Sequence, residues 1–458
     1  MIQERPFDDR HPPDPALIDK CVHCGFCLPS CPTYVLWGEE MDSPRGRIYL
    51  MKGGVEGRAA MTDSFVRHFD ACLGCMACVT ACPSGVQYSP LIEATRGQIE
   101  RRYERSIADR LFRRAIFSVF PYPRRLRIAL APLVLLQPVA RRLQSSGRRS
   151  RDRPAEAGAL RPSGAPRQSG ILARLRAMMK LAPPVTWKSL TARLPERTAA
   201  AGARRMTVGL LPGCVQRLVF PNVNAASINV LAAEGCDVVV PPGLRCCGAL
   251  SLHAGRLDDA RCFARSTIAA FERAGVDRIA VNAAGCGSSM KEYGQLLAGD
   301  PKWAERARVF ASRVRDVSEL VVELGEPRAL RHPLDVRVAY QDACHLAHAQ
   351  GVRQQPRDVL RSIPGIELLN LPEADICCGS AGIYNLVEPD TAEQLGDRKA
   401  RLIDSVNPDI VATGNPGCTL QLRAAARRTA QRQWRILHPV ELLDASIRGC
   451  PRSDLSDL

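Results

Sequence analysis

Two short stretches constrain this chain more than any of its other residues: CVHCGFCLPSCP, from Cys21 to Pro32, and CLGCMACVTACP, from Cys72 to Pro83. Each places four cysteines in eleven residues and ends on proline, and the spacing of x2, x2 and x3 is the same in both. Thiols at this density point to disulfides, zinc or iron–sulfur chemistry. Disulfides belong to oxidising compartments and small secreted scaffolds. The N-terminus MIQERPFDDRHPPDP has no apolar stretch behind a basic start, so it does not read as an export signal. Zinc usually takes two well-separated cysteine pairs. A C-x2-C-x2-C-x3-C-P run is instead the bacterial ferredoxin pattern, in which three thiols serve one cube and the fourth serves the other. A second block is therefore required, and the chain supplies it.

That rule assigns Cys21, Cys24, Cys27 and Cys82 to one [4Fe–4S] cluster, and Cys72, Cys75, Cys78 and Cys31 to a second. Pro32 and Pro83 are expected to stop any helix from continuing through the fourth thiol of each block. The forty residues between Cys31 and Cys72 hold Arg45-Gly46-Arg47 and then apolar residues at helical intervals. Residues 1–100 are thus expected to form a mostly helical ferredoxin domain with two clusters.

At 458 residues the chain has room for about two to four domains. Nineteen cysteines without an export signal predict a reducing cytoplasm and metal ligation. The net charge of +16 is uneven: Arg101 to Arg151 carries fourteen arginines against two acids, Glu104 and Asp109. Within it, IALAPLVLLQPVA at residues 128–140 is too short to span a bilayer, and Pro132 and Pro138 are expected to interrupt it. Such a segment suits peripheral attachment to the inner face of the cytoplasmic membrane, docking on an acidic partner, or a solvated helical face with a core-facing stripe. Nucleic acid is not expected, because no recognition motif or aromatic interleaving accompanies the charge. From Gln144 to Gly170 the chain is Gly, Pro, Ser, Ala and Arg with little to bury, and reads as a disordered linker inside a connecting region of 101–205.

The remaining cysteines repeat. Cys214, Cys246-Cys247-Gly248 and Cys286 recur as Cys344, Cys377-Cys378-Gly379 and Cys418, at offsets of 130, 131 and 132 residues. This is an internal duplication, with repeats at 206–330 and 331–458; Cys236, Cys262 and Cys450 stand outside it and read as ordinary thiols. TVGLLPGC, DVVVPP and RIAVNAAGC read as strands of the first repeat, and VRVAYQDAC, IELLNLP and DIVATGNPGC as strands of the second. Strand–helix alternation predicts a parallel sheet in each, with ligands beyond the carboxyl ends of the strands, where all eight cysteines fall. The fold class is therefore α+β and multidomain: a helical ferredoxin domain followed by a duplicated α/β pair. Four thiolates converging at a sheet edge repel one another unless a cation offsets them. At least one repeat is expected to hold a metal, with Cys344, Cys377, Cys378 and Cys418 the favoured set.

CVHCGFC at Cys21, DSPRGRIYL at Asp42, ACPSGVQY at Ala81, DACHLAHAQGVRQQP at Asp342 and HPVELLD at His438 resemble the iron–sulfur subunit of glycolate oxidase (glycolate dehydrogenase). The resemblance covers nearly the whole chain apart from 140–200. Wider relatives are the iron–sulfur subunits of anaerobic glycerol-3-phosphate dehydrogenase, lactate-utilisation proteins and heterodisulfide reductase. In the last of these, the final cysteine of each repeat opens a Cys-x-x-Cys pair and five thiols hold a non-cubane cluster. Here Cys286 is followed by Gly-Ser-Ser-Met and Cys418 by Thr-Leu-Gln. Four thiols per repeat favour a third ordinary iron–sulfur cluster or a structural metal.

The resemblance implies a subunit of an oxidoreductase acting on CH–OH donors. Oxidising a 2-hydroxy acid removes two electrons together, whereas a [4Fe–4S] cluster moves one, so a flavin must split the pair. This chain has no credible dinucleotide fingerprint; GGVEG at Gly53 lacks the preceding strand and the spacing. It is therefore read as a wire without catalytic residues, taking electrons from FAD-binding oxidase subunits in a hetero-oligomer and passing them to a quinone or another acceptor. Lactate or glycerol 3-phosphate as donor is the alternative, and a disulfide-reducing enzyme a further one. His345 and His348, beside Cys344, are expected to hydrogen-bond a sulfur or a backbone group rather than bind iron.

Overall fold

The computed structural model describes residues 6–146, 170–183, 185–430 and 434–456. In the N-terminal domain, helix α1 (Pro44–Val55) starts where the Ser43 hydroxyl accepts the Gly46 N–H and Pro44 takes the first helical position. Gly46 answers a close approach, since a Cβ there would lie 2.0 Å from the Glu40 carbonyl oxygen. Helix α2 (Tyr88–Arg102) packs with α1 and helix Asp63–Asp70 around Ile48, Met51, Phe69, Leu91 and Ile92. The two cysteine blocks are held against this core, the first as a loop and the second as a loop with a short helix, Ala77–Thr80, that carries Cys78. No helix continues through Cys31 or Cys82, and Pro32 goes further by opening helix Pro32–Trp37 with Cys31 as N-cap. The first helical position needs no N–H, so proline starts a helix there instead of ending one.

Three helices follow: α3 (Ile107–Val119), α4 (Pro123–Ser146) and α5 (Ile171–Leu181). α4 runs through both Pro132 and Pro138, which were expected to interrupt it. The lost backbone bonds are offset by an apolar face on which Leu126, Leu130 and Leu133 pack with Leu190 and Leu218. No described helix is long and apolar enough to cross a membrane. Of the stretch read as a disordered linker, residues 144–146 close α4 and Gly170 is the N-cap of α5, while 147–169 lie outside the described residues.

Each repeat is an α/β unit. The first sheet comprises β1 (Arg197–Thr198), β2 (Met206–Leu211), β3 (Cys236–Val239), β4 (Arg278–Val281) and β5 (Val314–Asp316), in the order β1-β3-β2-β4-β5. All pairs are parallel except the antiparallel edge β1. The second holds β6 (Val336–Tyr340), β7 (Ile366–Leu369), β8 (Ile410–Ala412) and β9 (Arg435–Leu437), parallel throughout, in the order β7-β6-β8-β9. Without β1 the two orders are the same, which is the duplication seen in three dimensions. The sequence reading found three strands per repeat and missed β1, β5 and β9, each only two or three residues long. It also placed Cys286 and Cys418 at strand ends. Both lie one step further on, in the first turns of helices Ala284–Lys291 and Pro416–Thr429.

The two sheets share a core. Leu231 and Val238 of the first repeat pack with Val338 and Leu442 of the second, all 1% exposed or less. Helix Pro221–Ala233, apolar on nearly every side, fits between the sheets and meets helix Pro439–Ile447. Beyond the carboxyl ends of the strands, the Ala284 N–H donates to the Gly414 carbonyl (3.1 Å) and the Gly285 N–H to Asn415 Oδ1 (3.4 Å). The cysteine-bearing loops of the two repeats are thereby tied to each other.

Candidate metal centres

The N-terminal domain builds two adjoining cavities. Cys21, Cys24, Cys27 and Cys82 line the first, and Cys31, Cys72, Cys75 and Cys78 line the second; Cys78 also borders the first. The structure thus brings each predicted quartet to one cavity. Both loops use the same turn: φ is positive at His23 and Gly25 in the first block and at Gly74 and Met76 in the second. Left-handed residues alternating with right-handed or extended ones curl the backbone in a way that suits an anionic group. Among the described residues, no three His, Cys, Asp or Glu side chains are grouped as they would be around a single ion.

The surroundings are charged unevenly. Arg47, 1% exposed, donates to the His68 carbonyl (2.6 Å), Thr33 Oγ1 (3.2 Å) and Asp42 Oδ1 (3.3 Å), and its Nη1 lies 4.0 Å from Cys31 Sγ. Asp42 also meets His68 Nδ1 at 2.9 Å. This is what the DSPRGR segment builds: a buried guanidinium under the second site. Burial raises the Cys72 thiol, but the charges of Arg47 and Arg96 outweigh it and hold that thiol below its usual range. Burial pushes Cys75 and Cys78 well up, and Cys27 to about 11. Most of these thiols are therefore neutral until a cation draws their protons off.

The second block abuts the second repeat. Leu73, Cys75 and Ala77 share an apolar cluster with Cys377, Tyr384 and Leu395, and Cys344 packs against it. His345 Nε2 donates to the Gly74 carbonyl (2.8 Å), and His348 Nε2 to the Asp375 carbonyl (3.0 Å) while its Nδ1 accepts from Arg353 (2.8 Å). Both histidines bond backbone groups, as expected. His345 thereby fastens the loop of the second site to the repeat.

All eight repeat cysteines line one further cavity of about 890 Å³ between the repeats. In the first set the thiols of Cys214, Cys246, Cys247 and Cys286 interact in sequence, each with the next. In the second set, Cys344 Sγ lies 3.9 Å from Cys377 Sγ, and Cys378 interacts with both Cys377 and Cys418. Each quartet is contiguous. The glycine after each Cys-Cys pair is required: φ is 89° at Gly248 and 90° at Gly379, and a Cβ on Gly379 would lie 2.7 Å from the Ala392 carbonyl. Each quartet has a cation beside it; in the first, half-buried Arg217 stands by Cys214. Lys399, 2% exposed, stands beside Cys378 and Cys377 and donates to the Glu373 carbonyl. By the offset of 132 that relates Ala392 to Ala260, the first repeat has Thr267 in its place.

Sequence reasoning missed Arg47, Arg96 and Lys399. Arg47 lay within a quoted motif, but nothing in its spacing marked it as buried; Lys399 looked like any helical lysine.

These features define an iron–sulfur protein with a dicluster ferredoxin domain and two cysteine-rich domains, and comparison with known proteins agrees. Residues 17–86 match the 4Fe-4S dicluster domain, residues 208–291 and 338–423 the cysteine-rich domain, and residues 108–150 the linker region of the glycolate oxidase iron-sulfur subunit. The chain is 37% identical over 432 residues to the probable glycolate oxidase iron-sulfur subunit of Bacillus subtilis, covering 92% of each. It is 35% identical over 428 residues to the glycolate oxidase iron-sulfur subunit of Escherichia coli, covering 92% of this chain and 93% of that one. Lactate utilization protein A of a Geobacillus strain is 27% identical over 240 residues, 52% of this chain and 100% of the relative. The chain belongs to the glycolate oxidase iron–sulfur subunit family.

Proposed function

We propose that this chain is the electron-transfer subunit of a flavin-dependent glycolate (2-hydroxy acid) dehydrogenase. On this reading, Cys21, Cys24, Cys27 and Cys82 hold one [4Fe–4S] cluster, Cys31, Cys72, Cys75 and Cys78 a second, and Cys344, Cys377, Cys378 and Cys418 a third metal centre. Bound clusters supply one-electron carriers at fixed points along the chain. The observation that carries the reading is the continuity of thiol sites: the first borders the second through Cys78, and the second shares an apolar cluster with the second repeat.

The residues around the sites have distinct tasks. The first site faces outward: Cys24 is exposed, and Val22 and Phe26 beside it are 67% and 66% exposed. That face suits docking of a flavoprotein partner from which electrons enter. Arg47 holds the second site's negative charge, His345 fixes its loop to the repeat, and Lys399 offsets thiolate charge at the second repeat. The segment QDACHLAHAQG around Cys344 favours the second repeat over the first as the metal holder. Because a two-electron donor needs a flavin to split the pair for one-electron clusters, donor oxidation is assigned to flavoprotein partner subunits.

The test is reduction of the clusters in the assembled complex. Glycolate added anaerobically to this chain with its flavoprotein partners should bleach the iron–sulfur absorbance, and glycolate added to the chain alone should not. Turnover of glycolate by the isolated flavin-free chain overturns the reading; bleaching by lactate or glycerol 3-phosphate but not glycolate reassigns the donor.

A further inference from the structure

The cavity between the repeats is larger than a thiol-held metal needs, and most of its wall is apolar. Opposite the cysteines, α3, α4 and α5 turn Phe112, Ile116, Leu130, Leu133 and Met178 into it. The same helices turn Ile107, Leu111 and Ile128 outward, while Leu175 and Met179 stand at the cavity's rim, each of the five at least 46% exposed. Around these stand the exposed Arg110, Arg114, Arg124, Arg125, Arg127 and Arg176. The one acid of the three helices, Asp109, is buried against Arg113 (3.0 Å) and Arg174 (2.7 Å). Outward apolar side chains among exposed arginines, with no exposed acid among the described residues of the three helices themselves, match the surface of an anionic bilayer. Ala115 and Ala129 are both exposed and part of the cavity wall, so the cavity opens on that face.

A second feature meets the cavity from the ferredoxin side. His253 and His345 both line it, with ring centroids 4.7 Å apart. His253 Nδ1 lies 3.7 Å from Glu93 Oε1, and its Nε2 is buried without a hydrogen-bond partner among the described residues. Glu93 is flanked by Arg96 and by Glu292, which accepts a hydrogen bond from Ser89 at 3.1 Å. Arg96 also donates to the His253 carbonyl at 2.8 Å.

Resting on the electron-transfer reading above, we infer that the cavity binds an isoprenoid quinone drawn from the membrane and that His253, supplied through Glu93 and Glu292, delivers a proton to it. The headgroup lies towards the cysteines and the tail leaves past Ala115 and Ala129. Two electrons arrive one at a time from the iron–sulfur centres, and two protons are taken up, one through His253 and one from water. Both carbonyl C=O groups become C–O–H, and quinone leaves as quinol. Burial raises Glu93 to about 7 and Glu292 to about 8, so both carry protons near neutrality. Burial lowers His253 to about 4, so it passes a proton on without retaining it.

The test uses the full chain, purified anaerobically with its clusters. A photoreactive azido analogue of decylubiquinone should label peptides of α3, α4 or α5, and excess decylubiquinone should suppress the labelling. Ala115→Trp with Ala129→Trp, both at exposed positions, should weaken decylubiquinone binding at least about tenfold with iron content unchanged. Glu292→Gln should slow reoxidation of the dithionite-reduced chain by decylubiquinone about 10²-fold. It should leave reoxidation by ferricyanide, which takes electrons without protons, as fast as before. Labelling elsewhere, or undiminished binding to the double variant, overturns the proposal. So does reoxidation by a small soluble disulfide but not by decylubiquinone. None of these assays uses glycolate or a flavoprotein, so failure here is distinct from failure of the donor assignment.

Discussion

Replacing Arg47 with methionine tests the buried charge beneath the second cluster site. Arg47 is 1% exposed and donates to three groups in the interior, the His68 carbonyl, the Thr33 hydroxyl and the Asp42 carboxylate. Methionine fills similar volume and donates nothing. It leaves Asp42, 4% exposed, with only His68 Nδ1 as partner. Removing one partner of a buried ion pair costs about 3–5 kcal/mol, because the other charge stays behind without compensation. At 1.4 kcal/mol per factor of ten, the open population of this domain should rise by roughly two to four orders of magnitude. The assay is the rate at which an iron chelator removes metal anaerobically, since chelation follows local opening. Adding Asp42→Asn to the methionine variant removes the stranded charge and should recover at least about 1 kcal/mol. Chelation of the single variant within about threefold of wild type, well under 1 kcal/mol, would refute the reasoning.

The other predictions concern single groups. Gly46→Ala puts a Cβ 2.0 Å from the Glu40 carbonyl, so α1 must shift; urea unfolding should show a loss of at least about 2 kcal/mol. Burial raises Asp316 to about 7, above its unfolded value, so its stabilising protonated state is present at low pH and lost as pH rises towards 7. Asp316→Asn keeps the helix cap and should gain stability over wild type at pH 8, up to about 4 kcal/mol, with the gain vanishing below pH 4 in thermal melts. Cys378→Ser should lower iron content while sparing the two N-terminal clusters, as read by electron paramagnetic resonance. His345→Ala releases the Gly74 carbonyl and should slow electron passage to the second repeat without loss of iron, as read by freeze-quench spectroscopy.

Some of this architecture was plain in the residues. The cysteine spacing of both blocks was enough to group the thiols that line each of the two N-terminal cavities, because such a spacing is a local pattern in the chain. The duplication was legible too, since Cys-Cys-Gly fixes a left-handed glycine at Gly248 and Gly379. The short strands β5 and β9 were not legible, because three residues are too few to show a period. Pro132 and Pro138 misled, because a proline's cost within a helix depends on what packs against it, and Leu126, Leu130 and Leu133 supply that packing. Lys399 and Arg47 were invisible as buried cations, because burial comes from tertiary contacts. The apolar cavity was hidden for the same reason: a core-facing stripe in the basic segment was one reading of the sequence, but what that stripe covers, the cysteines of the repeats, is set by tertiary contacts.

The measurement that bears most directly on the central claim is the metal and spin content of the isolated chain. Anaerobically purified and reduced with dithionite, the protein should contain matching acid-labile sulfide and at least about eight irons. Its electron paramagnetic resonance spectrum should show two magnetically interacting cubanes, with iron beyond those two lost in Cys378→Ser. Full zinc occupancy without acid-labile sulfide, or two clusters with no magnetic interaction between them, would contradict a continuous wire from Cys24 to Cys378.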